Sequence, residues 1–200
     1  MYTIGIDEVG RGPLAGPLVV CACAVRSGAD VISLFPKGML RDSKKLSEKV
    51  RITIVEQVER YVDAGDVIFG IGEMSAEQID TLGLSPAIRE ATARALAKVH
   101  DKGVARDSFI FLDGSLKADS SFPQETIIKG DEKIPEIALA SIIAKVYRDT
   151  LMRKVSDAYP EYGFASHVGY GTKAHYDAIE KHGLTPLHRR SFLKKVTGMK

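Results

Sequence analysis

Leu18-Val19-Val20-Cys21-Ala22-Cys23-Ala24-Val25 is apolar at every position. A continuous, β-branched run of this kind reads as a buried strand. A shorter apolar run, Tyr2-Thr3-Ile4-Gly5-Ile6, precedes it, and the connection holds Gly10, Gly12, Pro13 and Pro17. The chain therefore opens strand, turn, strand. Asp7 and Glu8 sit at the end of the first run, and Gly10-Arg11-Gly12 follows at once. Carboxylates at a strand end can hold Mg²⁺ or Mn²⁺, hard cations that prefer oxygen. A Gly-x-Gly turn exposes backbone N–H groups and lets another backbone come close. Acid for metal, beside bare amides and a guanidinium for phosphate, suggests metal-assisted chemistry on a phosphodiester.

Two other readings of this stretch compete. An Asp-Glu pair before a glycine turn is commonly a solvated loop. Gly10-x-Gly12-x-x-Ala15, with Asp30 twenty residues past Gly10, also fits a dinucleotide-binding fingerprint. That fingerprint must open a helix whose N-terminus faces the pyrophosphate. Here Pro13 and Pro17 interrupt the segment and a strand follows, so the turn joins strand to strand.

The 200 residues favour one domain and suffice for a real core. Apolar content of 44% and charged content of 27% are ordinary for a globular protein. No apolar run reaches the length of a membrane span, and no leader precedes the first strand. Cys21 and Cys23 share a strand face and are poorly placed to bridge each other, so they read as buried thiols of a reducing cytoplasm. Net charge is only +2, yet it is unevenly spread. Arg41 to Arg51 carries Lys44 and Lys45 among its cations, and His188 to Lys200 carries Arg189, Arg190, Lys194, Lys195 and Lys200 with no acid. Two basic stretches around an acid cluster fit a nucleic-acid footprint.

Further along, Ser47 caps a helix to about Val62, and Asp66 to Ile71 reads as a third strand. Ser75-x-x-Gln78 is a capping box for a short helix stopping at Gly83. Ser85-Pro86 starts a longer helix that ends near Gly103. Ser108 to Leu112 is a compact strand ending at Asp113-Gly114, and Glu125 to Ile128 a fifth strand ending at Lys129-Gly130-Asp131. From Pro135 towards Met152 the chain is a buried helix, apolar nearly all round. Gly163 to Thr172 is a loop, Thr172 caps a helix to His182, and the tail from Leu184 shows no clear periodicity. The order implies an α/β sheet whose first three strands form an antiparallel meander. Three strands end in acids, at Asp7-Glu8, Asp113 and Asp131.

Asp7-Glu8-Val9-Gly10-Arg11-Gly12-Pro13, Asp42-Ser43-Lys44-Lys45-Leu46, Leu112-Asp113-Gly114, Lys129-Gly130-Asp131 and Ala140-Ser141-Ile142-Ile143-Ala144-Lys145-Val146-x-Arg148-Asp149 occur in order. Gly169-Tyr170-Gly171-Thr172 and His188-Arg189-Arg190-Ser191-Phe192 complete the set. Together, from residue 4 to about 193, they resemble bacterial-type ribonuclease HII. The resemblance implies an RNase H-like fold, a central mixed five-stranded sheet flanked by helices. With it comes a catalytic part over residues 1–160 and a C-terminal helical, basic segment over 161–200 that packs on it as a single structural unit. It implies cleavage of the RNA strand in RNA–DNA hybrids and at single ribonucleotides in duplex DNA, by a monomer with Mg²⁺ or Mn²⁺. By position, Asp7, Glu8, Asp113 and Asp131 match the family's catalytic, metal-binding carboxylates. Gly10, Arg11 and Gly12 match its Gly-Arg-Gly turn, and Tyr170 its junction-reading tyrosine. Glu132 departs from the family, which often has Ser or Ala there, and an extra acid near the metals can alter ion affinity.

The chemistry fits the residues. Two divalent ions about 4 Å apart can activate water and stabilise the leaving 3′-oxygen, and four carboxylates suffice to hold them. Lys44, Lys45, Arg189 and Arg190 are candidates for phosphate contacts. Consecutive strand side chains point to opposite faces, so Asp7 and Glu8 share a site only if the strand ends or bends there, or if Glu8 contributes partly through its carbonyl or a water. Asp149 reads as a structural ion-pair residue, and the five histidines as surface or structural. A catalytically silent nucleic-acid-binding domain of the same fold is the alternative. Four intact acids argue against it, since acids facing a phosphate backbone only weaken binding.

Overall fold

A computed structural model describes residues 1–36 and 46–197 of the chain. Five strands form one sheet in the order β3-β2-β1-β4-β5. They are β1 (Tyr2–Val9), β2 (Leu18–Arg26), β3 (Val67–Met74), β4 (Phe109–Asp113) and β5 (Gln124–Ile127). β1, β2 and β3 pair antiparallel, while β4 runs parallel to both β1 and β5. The helices are α1 (Glu48–Asp63), α2 (Ala76–Leu82), α3 (Leu84–Asp101), α4 (Pro135–Ser156), α5 (Phe164–His167), α6 (Lys173–His182) and α7 (Arg190–Thr197).

The pleat of β2 explains the unbroken apolar run. Leu18, Val20, Ala22 and Ala24 pack with the α3 residues Ala87, Ala91 and Ala95. Val19, Cys21, Cys23 and Val25 pack on the other face with α1 and α4. Both cysteines are free and buried there. Gly5 of β1 is where α4 lies closest: a Cβ at that position would stand 2.2 Å from the Glu136 carbonyl carbon. A third apolar cluster joins Leu14, Ala15 and Met152 to Tyr162, Phe164, Ile179 and Leu193. No helix among the described residues is long and apolar enough to cross a membrane.

β3 is an edge strand, and α3 covers its free carbonyls. Arg94, Lys98 and Lys102 donate to the oxygens of Glu73, Ile71 and Phe69 at 3.0, 2.8 and 3.0 Å. Four helical residues rise about 6 Å and two strand residues about 6.6 Å, so the two ladders match step for step. An edge sealed by cations resists pairing with another chain.

Ser47 and Thr172 cap α1 and α6 as expected, and Ser75 with Gln78 forms the reciprocal capping box of α2. Three expectations are corrected. The third strand runs on to Met74. The cap of α3 is Gly83 rather than Ser85, and the same glycine ends α2. Pro86 is tolerated because first-turn amides have no partner within the helix. The tail forms α7, whose first amides are held by a distant acid: Arg190 N–H donates to Asp80 Oδ2 at 2.7 Å and Ser191 N–H to Oδ1 at 3.0 Å. A cap supplied 110 residues away leaves no local signal.

Candidate active site

β4 runs beside β1 only as far as the pair Ile6–Leu112. Beyond it the two strands part, and a cleft of about 310 Å³ opens between them. Asp7, Glu8, Asp113, Ser141, Lys145 and Tyr170 are among its walls. The fork answers the stereochemical question posed by adjacent acids. β1 stays in its ladder with β2 through Asp7, Glu8 and Val9. Its other edge is free there, so side chains from both faces reach the same opening.

Burial dominates the electrostatics of the acids. It pushes Asp7 up to about 8; a hydrogen bond from the Ser141 hydroxyl opposes this, and repulsion from Glu8 and Asp113 adds to it. Glu8 is also raised by burial and by Asp113, against a 3.0 Å ion pair with Arg11. Its Oε2 is buried with no hydrogen-bond partner. Asp113 Oδ1 accepts the backbone N–H of Gly130 at 2.6 Å and of Asp131 at 3.4 Å. Asp131 is fully buried beside Asp113, on the short 3₁₀ turn Gly130–Glu132. The cleft thus gathers three of the four expected carboxylates, with the fourth tied to them through Asp113. Glu132, the extra acid, lies 4.0 Å from Lys129.

Among the described residues no three acids, histidines or cysteines close around an ion by themselves. The acids nonetheless fit divalent cations. They are hard oxygen donors, mutually repelling and desolvated, with one buried oxygen lacking a hydrogen-bond donor. Bound cations reverse that repulsion. Substrate oxygens and waters would complete the coordination.

The turn and the tyrosine meet at this cleft. Gly10 takes φ +89°, a conformation that favours glycine. A Cβ on Gly12 would lie 4.0 Å from Tyr170 Cε1, and Tyr170 is 41% exposed. The Tyr170 backbone is held as well: His175 Nδ1 donates to its carbonyl at 2.9 Å. The expectation for Arg189 is corrected. It is 0% exposed and donates to the carbonyls of Gly10, Arg11 and Gly16, so it is not a phosphate contact. Arg190 is exposed at the start of α7. The basic tail is not a plain solvated end either, since Leu193 is buried in the third cluster. Lys44 and Lys45 lie outside the described residues.

Ser141 and Lys145 are cleft residues that the sequence reading passed over. Polar residues at i, i+4 and i+8 (Ser141, Lys145, Asp149), which fall on one face of α4, were the available signal. Asp149 pairs with Lys145 at 2.9 Å, as expected of a structural acid. The histidines divide as expected between surface and structure: His182 is exposed, while His175 and His188 are buried against each other. A larger cavity, about 510 Å³, lies between α3 and the loop after β4, away from these acids.

The fold recurs in solved structures. The chain is similar to ribonuclease H2 from Pyrococcus horikoshii OT3, with a TM-score of 0.74, 21% identity and 99% and 98% of the two chains covered. It is similar to ribonuclease HII in a PCNA:RNase HII complex from Archaeoglobus fulgidus, with a TM-score of 0.73, 22% identity and 94% of each chain covered. Bst-RNase HIII in complex with Mn²⁺ matches with a TM-score of 0.70 at 21% identity, over 99% of this chain and 71% of that one. The fold is therefore RNase H-like, of the HII and HIII type. The family model for ribonuclease HII matches residues 4–195. The ribonuclease HII of Psychromonas ingrahamii is 43% identical over 98% of this chain and 90% of its own length. That of Clostridioides difficile is 42% identical over 98% and 71%. The chain belongs to the ribonuclease HII family of metal-dependent hydrolases.

Proposed function

We propose that the protein is an endoribonuclease that hydrolyses the RNA strand of RNA–DNA hybrids. It also incises 5′ of single ribonucleotides embedded in duplex DNA, leaving 3′-hydroxyl and 5′-phosphate ends. The observation carrying this reading is the meeting of Asp7, Glu8, Asp113 and Tyr170 in one cleft, beside the exposed Gly12 backbone.

Asp7, Glu8, Asp113 and Asp131 are the proposed holders of two divalent ions, Mg²⁺ or Mn²⁺, which supply an activated water and a stabilised leaving oxygen when bound. The chain's own part is positioning. Ser141 steadies Asp7, and the Gly130 amide fixes one oxygen of Asp113. With Oδ1 of Asp113 taken by backbone amides, Oδ2 is the oxygen proposed to face a cation. The Gly10-Arg11-Gly12 backbone and the Tyr170 ring form a surface for a ribose, where a 2′-hydroxyl both donates and accepts. Arg11 offsets Glu8 and is a candidate phosphate ligand, as are Lys44, Lys45 and Arg190. Such contacts seat a duplex without reading its sequence.

The test is a duplex with one ribonucleotide, labelled in turn at each end of the cut strand. The expected products are a 3′-hydroxyl on the DNA side and a 5′-phosphate on the ribonucleotide, with an all-DNA duplex left whole. Cleavage elsewhere, or other end groups, contradicts the reading.

A further inference from the structure

We propose that Arg189 and Arg148 are positioning residues that aim the Arg11 and Gly12 amides and Tyr170 at the same ribose, through hydrogen bonds to main-chain carbonyls. The inference rests on the function proposed above and goes beyond it to two residues outside the cleft.

Both guanidiniums are 0% exposed, and neither makes an ion pair among the described residues. All seven of their hydrogen bonds end on backbone carbonyls. Arg189 donates through Nη2 to Gly10 at 2.6 Å and Gly16 at 2.9 Å, through Nη1 to Arg11 at 3.0 Å, and through Nε to Gly16 at 3.0 Å. Arg148 donates through Nε to Pro17 at 2.9 Å, through Nη2 to Ala15 at 3.1 Å, and through Nη1 to Val168 at 2.9 Å. Burying a charge is costly, and well-packed apolar residues commonly hold loops together as well or better. Two buried guanidiniums on one loop therefore ask for a reason beyond packing.

Peptide geometry supplies it. In a trans peptide the C=O and the following N–H point in opposite directions. With the Gly10 and Arg11 carbonyls turned in to Arg189, the N–H groups of Arg11 and Gly12 must face the other way. Both residues are exposed, and Gly12 stands against Tyr170. Arg148 ties this turn to the tyrosine loop. It holds Val168, two residues before Tyr170, and its Cζ lies 6.0 Å from the Tyr170 ring centroid. Arg189 has the planar fork that three carbonyls need; a lysine ammonium does not.

The experiment compares wild type, Arg189→Lys and Arg189→Met for binding to a duplex with one ribonucleotide and to the same duplex in DNA, in Ca²⁺ without turnover. Melting midpoints and the kcat and KM for cleavage in Mg²⁺ are read alongside. The expected result is at least a tenfold loss of preference for the ribonucleotide duplex in both variants. It appears in KM more than kcat, and Lys does not rescue it. A folded Arg189→Lys with wild-type preference overturns the proposal, as does equal weakening on both duplexes. If neither variant folds, the wild-type amide resonances decide: Arg11 and Gly12 should shift with the ribonucleotide duplex and not with DNA, and unmoved resonances overturn it. Wild type that cuts no ribonucleotide duplex refutes the function instead, which separates the two failures.

Discussion

The backbone N–H of Gly130 donates a 2.6 Å hydrogen bond to the carboxylate of Asp113, fastening the end of β4 to the turn that carries Asp131. Asp113→Asn keeps an oxygen to accept that bond but loses the charge. It should retain the melting midpoint within about 2 °C and lose at least 100-fold in cleavage, about 2.7 kcal/mol of barrier. Asp113→Ala also leaves the Gly130 amide without its partner and should melt several degrees lower. Thermal melts and single-turnover cleavage of both variants check this; equal melting of the two would remove Asp113 from the positioning of the turn.

Tyr170→Ala should damage cleavage at a lone ribonucleotide by at least an order of magnitude while changing all-DNA duplex affinity little. General affinity comes from cations that this change leaves alone. Tyr170→Phe keeps the ring beside Gly12 and should be milder. Equal, small losses on a single-ribonucleotide duplex and on a long hybrid would reduce Tyr170 to a packing residue.

Gly5→Ala should cost about 3 kcal/mol or more, because the new methyl meets backbone rather than a movable side chain. The Glu136 carbonyl carbon and the Ile137 nitrogen lie 2.2 and 2.3 Å from it. α4 must then back away from β1, taking Ser141 from Asp7. Denaturant unfolding and activity should fall together; unchanged stability would contradict the close approach of helix and sheet.

Acid should destabilise the protein through a buried histidine pair. His188 Nδ1 accepts the Thr185 N–H at 2.9 Å, so its Nε2 carries the proton and donates to His175 Nε2 at 3.1 Å. His175 Nδ1 then donates to Tyr170. A further proton on His175 would set two N–H groups against each other. Burial, then the His175 charge, pushes His188 down to about 4. The unfolded chain, titrating near 6.5, binds the proton first. This stability is therefore complete above about pH 6.5 and is lost as pH falls towards 4, on the order of 2 kcal/mol. Urea unfolding at pH 7.5 and pH 5 should show the loss in wild type and a smaller one in His188→Gln; identical losses would refute it.

Much of the fold was legible because its signals are local. The apolar run of β2, the Ser75–Gln78 box and the Ser47 and Thr172 caps each act within a few residues. The acids that line the cleft were legible as residues too, since Asp7-Glu8 lie near the end of β1 and Asp113 ends β4. What escaped depends on contacts between distant segments. The cap of α7 comes from Asp80, and the partners of Arg189 lie more than 170 residues away, so a basic tail looked like a phosphate binder. Ser141 looked like one more residue of an apolar helix until the β1–β4 fork placed it against Asp7. The fork itself follows from where β1–β4 pairing stops, which periodicity does not record.

The work proposed for the carboxylate cleft is to hold divalent cations. Incision of a duplex containing one ribonucleotide should be compared for wild type and Asp7→Asn, each in Mg²⁺, Mn²⁺ and EDTA, with melting followed in the same samples. Wild type should cut with either ion and not with EDTA. Asp7→Asn should lose at least 100-fold, about 2.7 kcal/mol, yet melt higher than wild type in EDTA, because the amide relieves a buried acid facing Glu8 and Asp113. Asp7→Asn retaining more than about a tenth of wild-type cleavage at saturating Mg²⁺, less than about 1.4 kcal/mol of barrier, or wild type cutting in EDTA, would rule out cations held by Asp7 as the source of cleavage.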